Sequence, residues 1–217
     1  MKQVSRIHVL LISLPLFAAC ADAPRIVAED PSTGFALYRS GRLSGADLGV
    51  LCGLGVEEIL VLDGEGGERE CVFSTTVCPD LRVRYDHAQE EDRPVAADFL
   101  EAFDAWIEEA RAEGRKVAFR CRHGWHRTGR LAAYYRMRFE GASAAEATRE
   151  MQEIGHMMWR HPTLDPQVEA YADLLAGRPY ASEPESCPTD EPDPGLVDGR
   201  FAENACGGDF GTHREPV

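Results

Sequence analysis

A nucleophile, a planar cation and a hydroxyl stand close together in the run Arg120-Cys121-Arg122-His123-Gly124-Trp125-His126-Arg127-Thr128-Gly129. The apolar residues of Lys116-Val117-Ala118-Phe119-Arg120 predict a buried strand ending at the cysteine. Leu131, Ala132, Tyr135 and Phe139 form the buried stripe of a helix predicted over 128–140. A chain that leaves a strand and enters a helix six residues later must turn sharply, with its amide N–H groups directed inward beside a helix N-terminus. That arrangement cradles an anion, because unpaired amides and the helix dipole both favour negative charge. The same field favours a thiolate at Cys121, which makes it a nucleophile at neutral pH. Arg127 returns to the cradle with a guanidinium that can hold two phosphate oxygens at once. Thr128 places a hydroxyl beside the sulfur, able to stabilise it when it is expelled from a phospho-enzyme. The loop residues Arg122, His123, Gly124, Trp125 and His126 are the candidate substrate-binding wall.

Protonating a leaving oxygen also needs a carboxylic acid near the cradle. The acids before Pro94 are Asp86, Glu90, Glu91 and Asp92. Asp92 is the leading candidate, Glu90 the next and Asp86 a third, although acids before a helix also act simply as favourable N-terminal charges.

Elements that could position these residues are legible along the chain. Ser44 and Asp47 form a capping-box variant ahead of a short helix with Leu48, Leu51 and Cys52 at helical spacing, stopped by Gly53 and Gly55. Residues 58–62 read as a buried strand and 81–85 as another, with a loop or irregular hairpin over 63–80. Pro94 can open a helix whose apolar positions Phe99, Phe103, Trp106, Ile107 and Ala110 share one face before Gly114 ends it. Ser143 and Glu146 make a full capping box for the next helix, and Asp165-Pro166 open another, closed by Gly177. Interleaved strands and helices predict a single α/β domain over about 33–177. Met151, Met157, Met158 and Trp159 are expected to pack its core. His87 reads as a surface or strand residue, and His156 and His161, without partners at ligand spacing, as structural.

The chain has 217 residues and a formal charge of −14, from 37 acids and 23 Lys and Arg. Such an acidic surface excludes nucleic acid as the main partner. Against it, 114–139 contains eight basic residues and no acid, a focused positive patch suited to a phosphorylated ligand, whether a protein or a small phosphate ester.

The cysteine loop resembles the Cys-x5-Arg-Thr-Gly signature of the cysteine-dependent protein tyrosine and dual-specificity phosphatases. Leu37-Tyr38-Arg39-Ser40-Gly41-Arg42-Leu43, Ile59-Leu60-Val61-Leu62-Asp63, Ala133-Tyr134-Tyr135-Arg136 and the stretch 144–151 are similar to bacterial members and their Siw14-like relatives. The resemblance covers about 35–175. It implies a phosphatase-like domain with a central four- to five-stranded sheet flanked by helices, a phosphocysteine intermediate, and neither cofactor nor metal. It also implies an Asp proton donor about thirty residues before the cysteine, where Asp92 stands. The family usually carries His before the nucleophile. Here Arg120 stands there, and its positive charge is expected to take over part of the tuning of the thiolate. His126-Arg127-Thr128-Gly129 is similar to Siw14-like enzymes acting on inositol pyrophosphates, so phosphotyrosine and inositol phosphates both stay open as substrates. A catalytically weak phospho-ligand binder on the same fold is the reading of a different class.

The N-terminus reads as an address. Lys2 and Arg6 precede an apolar run from Ile7 to Ala19, too short to span a membrane comfortably. Phe17-Ala18-Ala19-Cys20 resembles a bacterial lipobox, which implies cleavage after residue 19, lipidation of Cys20, and an exported periplasmic or cell-envelope lipoprotein. Ordinary cleavage near Ala19 or Ala21 is the alternative. Contact with a membrane is then expected only through that anchor, and the protein is expected to be a monomer. An oxidising compartment favours disulfides. Cys71 with Cys78 and Cys187 with Cys206 could each close a short loop, leaving Cys52 as a small buried hydrophobe, although spacing alone does not settle pairing. A disulfide from another cysteine to Cys121 would switch the thiol off. No Cys or His spacing matches a zinc motif. Residues 178–217, with six prolines, nine acids and three basic residues, are expected to form a flexible acidic tail.

Overall fold

The computed structural model describes residues 24–64, 67–178 and 192–207, without the side chains of 67–69 and 73. The leader, Cys20 and Cys187 lie outside the described residues.

Five strands form one sheet: β1 (Arg25–Asp30), β2 (Phe35–Ser40), β3 (Val56–Val61), β4 (Arg82–Asp86) and β5 (Lys116–Arg120). Their order is β1-β2-β5-β3-β4; β1 runs antiparallel to β2 and the remaining pairings are parallel. Six helices complete the domain: α1 (Gly45–Leu54), α2 (Gly67–Thr76), α3 (Ala97–Glu113), α4 (Arg127–Glu140), α5 (Ala144–Ile154) and α6 (Leu164–Leu175). A single 3-10 turn, Met158–Arg160, lies between α5 and α6.

Period-two alternation divides the core between the sheet faces. On one face Val117 and Phe119 pack with Phe99, Phe103 and Ile107 of α3 and with Leu131 and Tyr135 of α4. On the other face Ala118 packs with Leu48 and Leu51 of α1. Strand β5 is therefore central and buried on both sides, and its carboxyl end opens where the crossover helices change face. In open parallel sheets that is where ligands bind.

The helix caps follow the sequence. Ser44 and Ser143 accept from the amides of Asp47 and Glu146, whose carboxylates return the bond, and Gly55, Gly114 and Gly141 end α1, α3 and α4 in the left-handed conformation.

Several expectations need correction. The stretch 63–80 contains α2, which lacks an apolar stripe and is held instead by tertiary bonds: Cys71 is linked to Cys206, and Glu70 pairs with Arg120. Cys52 is joined to Cys78, with Cα atoms 5.9 Å apart. It is thus a bridge between α1 and the end of α2, and the short loops 71–78 and 187–206 are not closed. The domain extends beyond 33–177 at both ends, because β1 adds an edge strand and residues 192–207 return to β4. In that returning segment Phe201 packs edge-on against Tyr85, Phe99 and Trp106, and Asp193 accepts from the Tyr85 hydroxyl at 3.0 Å. This part of the acidic segment is therefore docked. Met151 and Met158 are buried as expected, whereas Met157 and Trp159 are exposed, Trp159 by 75%, because the 3-10 turn faces them outward.

Candidate active site

Cys121 follows β5 directly, is 1% exposed and is the free cysteine among the described residues. Its amide donates to Ser40 O at 3.3 Å, and Leu62 N–H donates to Arg120 O at 2.9 Å, so the ends of β2 and β3 fix the cysteine from both sides. The loop then turns back under Arg42, whose amide donates to Arg122 O. Gly124 makes the turn possible at φ +72°; a Cβ there would lie 2.5 Å from Gly41 N and 2.7 Å from Ser40 C. Helix α4 begins at Arg127, so its first amides face the loop. Thr128 is fully buried with Oγ1 3.8 Å from the Cys121 sulfur. The structure thus brings Cys121, Gly124, Arg127 and Thr128 into one turn. Arg122 and His123 are exposed on its rim, Trp125 is half-buried and stacks on His123, and His126 is buried.

Arg127 is already engaged. Its Nε donates to Gln89 O, and its Nη1 stands 3.3 Å from Glu91 Oε1. The adjoining acid stretch is tied down from below. Arg130, fully buried, donates to Arg93 O and to Gln167 Oε1, and Gln167 Nε2 donates to Glu91 O at 3.1 Å. Among the four acids considered, Glu91 is the one placed against the clamp. Asp92 is exposed next to it, Glu90 pairs with Arg93 on the surface, and Asp86 ends β4. The Glu91 carboxyl is held down to about 2, by its hydrogen bond with His126 and by the charges of Arg127, His126 and His161, against the cost of burial.

Arg120 does not act as expected. Its Nε and Nη2 form a two-point bond with Glu70 at 2.7 and 2.8 Å, and its Nη1 donates to Asp63, itself paired with Arg42. The guanidinium is fully buried and neutralised, so it fastens α2 and β3 beneath the loop rather than lending free charge to the sulfur. The wider basic patch dissolves in the same way. Arg115 meets Glu58, Glu109 and Glu113; Arg136 meets Glu140 and Glu150; Arg138 meets Asp104 and Glu108.

Residues not foreseen for the site are Arg39, Gln89, Arg130 and His161. Arg39 is 4% exposed, its Nη2 has no partner among the described residues, and burial together with Arg25 lowers its pKa to about 10. His161 lies with Nδ1 3.0 Å from Glu91 Oε2, and its ring centroid is 3.6 Å from that of His126. It therefore has a partner at ligand distance, which no spacing in the sequence signalled.

No family model matches the chain, and no curated protein matches it. Solved structures do. A variant of Pseudomonas aeruginosa TpbA in complex with phosphotyrosine is 20% identical, with 73% of this chain and 98% of that one covered and a TM-score of 0.50. The Siw14 catalytic core is 19% identical over 63% and 80% of the chains, and Cydia pomonella PTP-2 phosphatase is 19% identical over 77% and 96%, both at a TM-score of 0.50. The chain has the fold of these cysteine-dependent phosphatases.

Proposed function

We propose that the chain is a phosphomonoester hydrolase working through a phosphocysteine intermediate, with a phosphotyrosine protein or a related phosphate ester as substrate. The observation that carries this reading is the single turn at the end of β5, where a buried free thiol, the first amides of α4, Thr128 and Arg127 converge. The Cys121 thiolate attacks phosphorus; the P–S bond forms as the P–O bond to the leaving group breaks. Arg127 moves from Glu91 and Gln89 to two phosphate oxygens, an exchange of one anionic partner for a doubly charged one. Asp92 donates the proton to the leaving oxygen. Glu91 is unsuited to that role because its partners keep it ionised. Water then attacks the phosphocysteine, giving its proton to Asp92. The departing sulfur takes back the bonding pair beside the Thr128 hydroxyl, and inorganic phosphate leaves.

The phosphotyrosine held by the TpbA variant supports an aryl phosphate as the first choice. The run His126-Arg127-Thr128-Gly129 favours an inositol phosphate as the second. Two disulfides fit an oxidising compartment, in keeping with export as a lipoprotein anchored through Cys20.

Phosphate release by the purified chain, tested on a phosphotyrosine peptide, a phosphoserine peptide and inositol polyphosphates, decides the matter. Turnover is expected on one member of the panel and is expected to fall by about 10⁴-fold or more in Cys121→Ser. Absence of turnover with retained binding of phosphate analogues would instead establish a phospho-ligand binder.

A further inference from the structure

Three side chains at the mouth of the turn, Glu91, His126 and His161, have a geometry that the reaction above does not use. One ligand atom from each lies within 4.8 Å of the others. His161 Nδ1 and His126 Nδ1 face the same Glu91 Oε2, at 3.0 and 3.5 Å. A zinc ion bound tetrahedrally at its usual bond lengths needs ligand atoms roughly 3.4 Å apart, and the two measured separations bracket that value. The second ring nitrogen of His126, Nε2, lies 3.3 Å from His156 O. A carbonyl only accepts, so Nε2 donates to it, and a metal ion would take the place of the Nδ1 proton that faces Glu91, as in metal-ligating histidines whose other nitrogen is held by a carbonyl. His161 is positioned by its amide, which donates to Met158 O at 2.9 Å at the end of the 3-10 turn. Two imidazoles and one carboxylate are the borderline donor set that zinc takes with a fourth position left open. Glu91 and His161 are partly exposed, each by about a quarter of the side chain, so an ion can enter from solvent.

We propose that Glu91, His126 and His161 form a binding site for one divalent ion of the zinc class. The ligands belong to the acid stretch, the cysteine loop and the connection between α5 and α6, so one ion fastens three otherwise separate segments. It also keeps the Glu91 carboxylate beside Arg127, where incoming phosphate must displace it. Bound zinc therefore slows phosphate-ester turnover, reversibly on chelation. That consequence rests on the phosphatase reading; the site itself does not.

The test is competition for Zn2+ between the chelator-treated chain and a chromophoric chelator, run on the wild type, His161→Ala, Glu91→Gln and Cys121→Ser. One equivalent of Zn2+ is expected to bind the wild type and Cys121→Ser equally. Affinity should fall by about 100-fold or more in His161→Ala, since loss of a ligand exceeds the cost of losing a mere supporting contact. Glu91→Gln should weaken binding in the same direction, and the metal-free melting temperature of each variant reports that it is folded. Binding that survives in His161→Ala but disappears in Cys121→Ser would place the ion on the thiol and overturn the proposal, as would no binding by the wild type. Stoichiometric zinc binding without turnover on any phosphate ester would leave the site standing and remove the phosphatase reading. Turnover indifferent to zinc, with the ion bound, would remove the inhibitory consequence.

Discussion

Around Glu58, in the amino-terminal half of the sheet, buried charge is answered on the spot. Its carboxylate accepts from Trp106 Nε1 at 2.6 Å and meets Arg84 at 2.5 Å and Arg115 at 2.7 Å, and Arg115 goes on to Glu109 and Glu113. Beyond the carboxyl end of β5, buried cations are only half answered. Arg130 donates to a carbonyl and an amide oxygen rather than to an acid, Arg39 keeps Nη2 without a hydrogen-bond partner among the described residues, and Arg127 rests on a carboxylate that a phosphate can replace. Buried charges are ordinarily paired, and cations left without a counter-ion mark a place where an anion can bind. The contrast teaches that the first cluster supports the sheet and the second region is arranged for an anion, although both are built from arginine.

Substitutions can break that contrast from either side. The largest effect is expected from Arg127→Lys, which keeps the charge and loses the two-point grip: turnover should fall by about 10²–10³-fold with the melting temperature unchanged. Steady-state kinetics beside a thermal melt checks this, and a parallel loss of stability would mean that Arg127 is structural like Arg115.

Glu58→Gln is the mirror experiment. Removing one partner from a buried ionic cluster should cost about 3–5 kcal/mol in urea unfolding, with turnover per folded molecule intact. Gly124→Ala falls between the two, since its φ is +72° and its Cβ would meet the Ser40 and Gly41 backbone. About 1–3 kcal/mol of strain is expected, together with loss of turnover, because here the support and the site are the same segment.

The smallest effect concerns pH. The Glu91 carboxyl is held down to about 2 from an ordinary value of 4.5. A carboxyl depressed in the folded state contributes stability above its unfolded value, and that contribution is lost as pH falls toward the folded one. In the presence of chelator, Glu91→Gln should therefore lower the melting temperature at neutral pH and remove part of its fall between pH 4.5 and 2, so that variant and wild type converge at the acid end. An unaltered acid limb would show that Arg127 and the histidines do not hold this carboxylate in solution.

Much of this molecule could be read from local pattern. The capping boxes at Ser44 and Ser143, the apolar stripe of α3 and the strand before Cys121 are interactions within a few residues, so spacing and residue type suffice to specify them. The turn carrying Cys121, Arg127 and Thr128 is equally local, because the strand before it and the helix after it lie within the same short run. Partners far apart in the chain could not be read this way. Helix α2 has no stripe to announce it and exists through Cys71–Cys206, 135 residues apart, and Glu70–Arg120. The basic run 114–139 looked like one patch because a sequence shows charges without their counter-ions. Tertiary packing supplied an acid for Arg115, Arg120, Arg136 and Arg138 and left Arg127 at the site. Likewise, Glu91 rather than its neighbour Asp92 meets the clamp, and His161 joins it from 70 positions later in the chain. Local steric and hydrogen-bonding rules act over one helical turn. Electrostatic pairing acts through space, and only the folded chain decides which charges share it.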